Sequence, residues 1–260
     1  MDDAPDTPIP GAAWLALKAR TAARIALGRS GGSLPTRPLL DFQLAHARAR
    51  DAVHAPFDSG SLALQAAQSD VPVTCVQSRA TDRTTYLQRP DLGRRLDSPS
   101  RERLAALHAQ PADVAFVIAD GLSTRAAERH ALPVVALAST VLASWGWTMA
   151  PLIIATQSRV ALGDEIGALL NAGLVAMLIG ERPGLSADDS LGIYLTHAPS
   201  IGRTDTERNC ISNIRPGGLT YAEAAHKLLY LLREARAGGL TGVALKDDSD
   251  RVMRLVGPDA

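Results

Sequence analysis

Short apolar runs, separated by polar or turn-forming residues, recur along most of this chain. A strand that is buried on both faces of a sheet has a continuous apolar run of roughly four to eight residues instead of an alternating pattern. The runs therefore predict six strands, at 71–76, 113–118, 152–155, 174–179, 191–196 and 242–245.

The clearest helical pattern begins after Thr220 and ends at Gly238-Gly239. Thr220 and Glu223 have the spacing of a capping box, and the apolar residues that follow form one stripe at helical spacing. Another helix is predicted to begin with Ser98 as its N-cap and Pro99 at its first position. Two more are predicted, at 123–144 with a bend or restart at Pro133, and at 163–172 with Gly173 as its stop.

The N-terminal part is patterned less regularly. Residues 1–10 are acidic and Pro-rich, and they predict a disordered lead. Trp14, Leu17 and Ile25 lie on a rough helical stripe, which the glycines of 28–32 interrupt. A further helix is predicted through Leu40, Leu44 and Ala47, with Pro38 near its start.

Strands that alternate with helices indicate an α/β fold. We expect a Rossmann-like, mostly parallel sheet with helices on both faces, together with a small N-terminal helical domain. The predicted divisions are a lead (1–10), a helical region (11–85), an α/β domain (86–246) and a flexible tail (247–260). Such sheets bind ligands outside the carboxyl ends of their strands. The candidate loops are 119–123, 156–160 and 180–185.

Charge and cysteine content narrow the choice of partner and compartment. Lys+Arg and Asp+Glu are both 27, so the net charge gives no reason to expect nucleic acid or an anionic membrane as partner. The uncharged stretch 131–158 is long enough to span a bilayer, but Pro133 and Pro151 interrupt it. A buried helix followed by a buried strand is predicted instead. Cys75 and Cys210 have no zinc-site spacing and favour a reducing cytosol.

Four polar segments are left as candidates for a site: YLQRPDLGRRL at 86–96, IADGLST at 118–124, GERPGL at 180–185 and CISNI at 210–214. Each also has an ordinary structural explanation. Arg94 and Arg95 can be solvated, Asp120-Gly121 can be a strand-to-helix turn, and Cys210 can be a small core residue. The chain has no GxGxxG, GxxxxGK(S/T) or HExxH motif, so a nucleotide-dependent oxidoreductase remains an alternative on fold analogy alone.

In their order and wording, the four segments resemble the ethanolamine ammonia-lyase small (light) subunit family. Two weaker matches, Arg159-Val160 and Asp164-Glu165-Ile166-Gly167, fall between them in the expected order. The resemblance covers residues 80–246 closely and residues 12–55 more loosely.

The resemblance implies a subunit of a lyase that converts ethanolamine to acetaldehyde and ammonia by radical chemistry, with adenosylcobalamin as cofactor. It also implies a separate large subunit, a TIM barrel that carries the substrate site, in a higher hetero-oligomer. The family's cobalamin-contacting positions match Val160, Glu181 and Cys210, and no catalytic residue or metal ligand is carried over. The small subunit would form one wall of the cobalamin site.

Two further expectations accompany the resemblance. Many cobalamin modules have an Asp-x-His-x-x-Gly word whose histidine replaces the cofactor's own base on cobalt, and this chain has none. Base-on binding is therefore predicted. The expected location is the cytoplasm or a bacterial microcompartment, although residues 1–10 contain no obvious encapsulation helix. A non-catalytic scaffold that has lost cofactor binding is the second alternative.

Overall fold

The computed structural model describes residues 12–68 and 71–251, so the predicted lead and residues 252–260 of the predicted tail lie outside the described part. Its strands are β1 Val73–Gln77, β2 Ala112–Ala119, β3 Leu152–Thr156, β4 Ala172–Gly180, β5 Leu191–His197 and β6 Arg208–Ile214. They form one sheet in the order β1-β3-β2-β4-β5-β6. The first four are parallel, and β5 and β6 are antiparallel to their neighbours. The α/β prediction is confirmed.

Helices cover both faces of this sheet. They are α1 Ala12–Lys18, α2 Thr36–His54, α3 Ser59–Ala67, α4 Arg83–Gln88, α5 Ser98–Ala105, α6 Thr124–Ser144, α7 Leu162–Leu169 and α8 Tyr221–Gly238. On one face Phe116 and Ile154 pack with α3, α6 and α8, and on the other Val117 and Ile153 pack with α5 and α7. Alternate residues of one strand therefore face different helices, which explains the continuous apolar runs.

The two antiparallel strands are covered more fully on one face than on the other. Ile193 and Ile211 are buried in the core that contains α8. Cys210 and Ser212 point to the opposite face and are exposed. Among the described helices, α5 and α7 cover β1 to β4 on that face, so part of the β5–β6 surface stays open.

One predicted strand is absent from the structure, and one observed strand was not predicted. Residues 242–245 do not form a strand, because Gly242–Ala244 is a short 3₁₀ turn in which Gly242 has φ +82°. A Cβ atom at Gly242 would lie 2.0 Å from the carbonyl oxygen of Thr206, so only glycine fits there. Conversely, β6 was not predicted, because its exposed face carries polar residues that suggested turns.

Several helix boundaries also differ from prediction. α7 ends at Leu169, and the left-handed residue after it is Asn171, with φ +51°. Gly173 belongs to β4 and is not the stop. Asp97, not Ser98, caps α5, because its side chain accepts a hydrogen bond from the backbone N–H of Ser100. The capping box of α8 is confirmed.

The N-terminal region joins the sheet more closely than its pattern suggested. α1 ends before Ile25, which lies outside any helix. Leu62 and Ala66 of α3 pack in the same core as the sheet, and β1 is one of its edge strands. The domain boundary at residue 85 stays a prediction. Within the described residues, no helix is both long and apolar enough to cross a membrane, and α6 continues through Pro133.

Candidate functional site

A cavity of about 450 Å³ opens at the carboxyl ends of the parallel strands. The three candidate loops, 119–123, 156–160 and 180–185, all contribute to its wall, as the rule for parallel sheets predicts. Its lining residues are Tyr86, Gly121, Leu122, Arg159, Val160, Ile179, Gly180, Glu181, Arg182 and Tyr194.

Two glycines allow the loops after β2 and β4 to meet. Gly121 has φ +56°, and a Cβ atom there would lie 2.2 Å from the carbonyl oxygen of Gly180. A Cβ atom at Gly180 would lie 2.0 Å from the carbonyl oxygen of Ser123. The backbone N–H of Leu122 donates to the Gly180 carbonyl at 2.9 Å. The glycines of IADGLST and GERPGL are therefore required by this close approach.

Asp120 joins the loops after β2 and β3. Its side chain is fully buried and accepts hydrogen bonds from the backbone N–H groups of Gly121, Gln157 and Ser158, at 2.8–2.9 Å. Nη1 of Arg83 lies 3.5 Å from its Oδ2 atom. Burial outweighs these contacts and raises the pKa of Asp120 to about 6. Asp120 therefore holds together two of the loops that line the cavity.

The ring of Tyr86 contacts two guanidinium groups. The central carbon of Arg159 is 4.1 Å from the ring centroid, and that of Arg83 is 4.8 Å from it. The Tyr86 hydroxyl donates to the carbonyl of Ser158 at 3.1 Å. Burial raises the pKa of Tyr86, so the phenol stays protonated. The cation–π contacts thus attach the 86–96 segment to the cavity wall.

Glu181 is held at the edge of the cavity by three donors. The hydroxyls of Ser190 and Ser212 and the backbone N–H of Asn213 all donate to its carboxylate. A Cβ atom at Gly192 would come within 2.9 Å of Oε1, so glycine there leaves room for the carboxylate. A carboxylate accepts about four hydrogen bonds. One acceptor position of Glu181 is therefore left for a ligand.

Cys210 lies beside the same cavity. It is paired with Tyr194 across β5 and β6, and Tyr194 lines the cavity. The surrounding protein raises the pKa of both the Cys210 thiol and the Tyr194 phenol by desolvation, so both stay neutral. The structure thus brings Val160 and Glu181 into one wall and places Cys210 next to it. Whether these residues contact a cofactor stays a prediction.

Sequence reasoning missed the residues that hold this site together. Asp120 and Tyr86 stand in the quoted segments, but their roles depend on contacts with residues 157 and 158, far away in sequence. Ser190 and Ser212 carry no motif signal, although Ser212 lies within CISNI. Within the described residues, no group of three or more His, Cys, Asp or Glu side chains could hold a metal ion.

Known proteins resemble the chain over nearly its whole length. A family model described as ethanolamine ammonia-lyase light chain (EutC) matches residues 11–246. The ethanolamine ammonia-lyase small subunit of Ralstonia nicotianae is 54% identical over 252 residues, which are 96% of this chain and 93% of that protein. The proteins of the same name from Xanthomonas campestris pv. campestris and Pseudomonas syringae pv. tomato are 55% and 52% identical over 96% of this chain, and 92% and 88% of theirs.

The fold and the cavity define the class, an α/β protein with a ligand-sized site at the carboxyl edge of its sheet. The chain belongs to the ethanolamine ammonia-lyase light-chain family and is a subunit of a lyase. The family predicted from the four polar segments is confirmed.

Proposed function

We propose that the chain is the small subunit of an adenosylcobalamin-dependent ethanolamine ammonia-lyase. It forms one wall of the cobalamin site, where it meets a large TIM-barrel subunit. The observation that carries the proposal is that Val160 and Glu181 line one cavity and that Cys210 lies next to it, paired with the lining residue Tyr194 on the open face of β5 and β6. The small-subunit name of the relatives supports a larger partner.

The residues present fit the rim of a corrin. Corrin carries primary amides, which both donate and accept hydrogen bonds. Glu181 keeps one acceptor position for an amide N–H, and Val160 lines the same cavity. The exposed Cys210 thiol offers a small, polarisable contact with weak hydrogen-bonding capacity. Donors and acceptors of the required kind are thus available.

The chain's own contribution is to bind and orient. When bound, adenosylcobalamin supplies the radical chemistry by homolysis of its cobalt–carbon bond. The neutral Cys210 and the hydrogen-bonded Glu181 are suited to holding the cofactor's edge. No residue of this chain is assigned a catalytic role, and base-on binding follows from the missing Asp-x-His-x-x-Gly word. We place the complex in the cytoplasm, with a microcompartment as the alternative.

The N-terminal helices expose apolar side chains, which is evidence for contact with a partner chain. α2 has 19 residues, of which Ala52 is the buried one. Leu40 and Leu44, one turn apart on α2, expose 56% and 52% of their surfaces, and Trp14 on α1 exposes 54%. Apolar residues exposed together mark interaction surfaces. We assign the exposed apolar face of α2 to the large subunit, because the relatives are named small subunits, which implies a larger partner chain.

A cofactor titration of the complex with its large subunit tests the proposal. Glu181→Ala combined with Cys210→Ala should raise the adenosylcobalamin concentration that gives half-maximal activity by about 10- to 100-fold, as expected for loss of a charged hydrogen bond. Glu102→Ala with Cys75→Ala removes the same residue types near the opposite edge of the sheet, and should change it by less than about twofold. An unchanged requirement in the first variant would favour the scaffold alternative.

A further inference from the structure

The guanidinium of Arg159, in the cavity wall, has few hydrogen-bond partners. It donates one hydrogen bond, from Nη2 to the carbonyl of Tyr86 at 2.9 Å. Its Nε atom is buried and has no hydrogen-bond partner. No carboxylate within the described residues forms an ion pair with Arg159. Arg83, which also contacts the Tyr86 ring, donates to the carbonyls of Val53 and Gly121 at 2.6 and 2.8 Å and lies 3.5 Å from the Asp120 carboxylate, although its Nη2 atom is likewise buried without a partner.

The charges around this ring do not balance. Arg83 and Arg159 supply two positive charges, and Asp120 supplies at most one negative charge, closest to Arg83. Glu181 has no ion pair with an arginine of the described chain and accepts from Ser190, Ser212 and Asn213 instead. Charges withdrawn from water are normally paired. The wall around the half-buried Arg159 therefore has an excess positive charge that one anion would balance.

A second donor lies next to Arg159 in the sequence. The backbone N–H of Val160 has no acceptor within the described residues, and α7 begins two residues later. N–H groups at the beginning of a helix favour negative charge. Arg159 and Val160 line the same cavity. Charge-assisted hydrogen bonds to an anionic oxygen are about twice as strong as neutral ones, so a guanidinium and a free backbone N–H in one wall suit such an oxygen.

We propose that Arg159, together with the backbone N–H of Val160, binds the phosphodiester of the cofactor's nucleotide loop. The assignment rests on the proposed function, because the phosphodiester is the one anionic group on the periphery of cobalamin. The corrin amides are neutral and leave the charge of Arg159 unbalanced. Arg159 would thus distinguish corrinoids that carry the nucleotide loop from those that lack it.

Two corrinoids separate this assignment from other roles of Arg159. Cyanocobalamin carries the phosphodiester, whereas cobinamide keeps the corrin amides and lacks the phosphodiester, the ribose and the base. Both are titrated into the complex with the large subunit, and binding is followed by corrinoid absorbance, without turnover. Arg159→Met should weaken cyanocobalamin binding by about 10- to 100-fold and cobinamide binding by less than about twofold. Arg159→Lys keeps a cation and loses the planar guanidinium, so it should show a smaller loss confined to cyanocobalamin.

Arg182→Met is the matched control, because this exposed arginine lines the same cavity and the variant removes the same charge. It should weaken both ligands equally and by less than about threefold, since exposed charges are screened. Equal losses for both ligands in the Arg159 variants, or no loss for either, would overturn the assignment and leave the proposed function standing. A cyanocobalamin-specific loss in Arg182→Met would overturn it as well. A wild-type complex that binds neither corrinoid would overturn both proposals.

Discussion

Replacing Asp120 with asparagine should change how the stability of the chain depends on pH. The Asp120 carboxyl is fully buried, accepts three backbone N–H groups, and has its pKa raised from 3.8 to about 6 by burial. The folded protein therefore binds this proton more tightly than the unfolded chain does. The resulting stabilisation is complete below about pH 3.8 and is lost as the pH rises through about 6. Asparagine has the same shape and does not titrate.

The size of the effect follows from the two pKa values. Between about pH 4.5 and 7.5 the proton linkage of Asp120 amounts to about 2 kcal/mol. The free energy of unfolding of the wild type, minus that of Asp120→Asn, should fall by this amount over the interval. Urea unfolding of both proteins at several pH values, followed by circular dichroism, measures it. In an Arg83→Met background the neighbouring cation is gone, so the fall should move to higher pH.

A difference between the two proteins that stays constant over this interval would refute the reasoning. It would mean that Asp120 keeps one protonation state throughout and that burial does not control its pKa. A difference that rises with pH would show that the contacts with Arg83 and the three backbone donors outweigh burial.

Two more substitutions test the packing around the site. Gly180→Ala should destabilise the chain by more than about 2 kcal/mol, because the added Cβ would lie 2.0 Å from the Ser123 carbonyl oxygen. Gly184→Ala is the control: the nearest atom to its Cβ would be 3.6 Å away, so it should cost under about 1 kcal/mol. Equal losses in thermal unfolding would contradict this. Asp164→Ala removes the buried carboxylate that binds Arg208 through both of its oxygens and leaves only the exposed Asp205 as an ionic partner. It should cost about 3 kcal/mol in urea unfolding. A loss below about 1 kcal/mol would mean that water reaches the pair.

The prediction of the central strands and the prediction of the site rested on different kinds of information. β2, β3 and β4 were predicted because burial on both faces leaves a continuous apolar run in the sequence. β6 was not predicted, because only Ile211 faces the core while Cys210 and Ser212 face outward. Such a short alternation of apolar and polar residues resembles a turn. The error at 242–245 has a similar origin, because an apolar composition does not reveal the left-handed backbone of Gly242.

The candidate site was predicted from the resemblance to a known family and not from the hydrophobic pattern of the chain. Val160, Glu181 and Cys210 are far apart in sequence, and their proximity depends on the sheet order, with β5 and β6 placed antiparallel beyond β4. Asp120 could not be assigned a role from the sequence, because the backbone N–H groups that donate to it belong to Gln157 and Ser158, in a loop after another strand. Long-range contacts of this kind leave no local periodicity.

Reconstitution tests the central claim most directly. Lyase activity on ethanolamine is measured for this chain alone, for the large subunit alone, and for both together, each with adenosylcobalamin. We predict activity for the two chains together and none for this chain by itself, because its assigned role is to hold one side of the cofactor. Full turnover by this chain alone, or full activity of the large subunit without it, would contradict that division of labour.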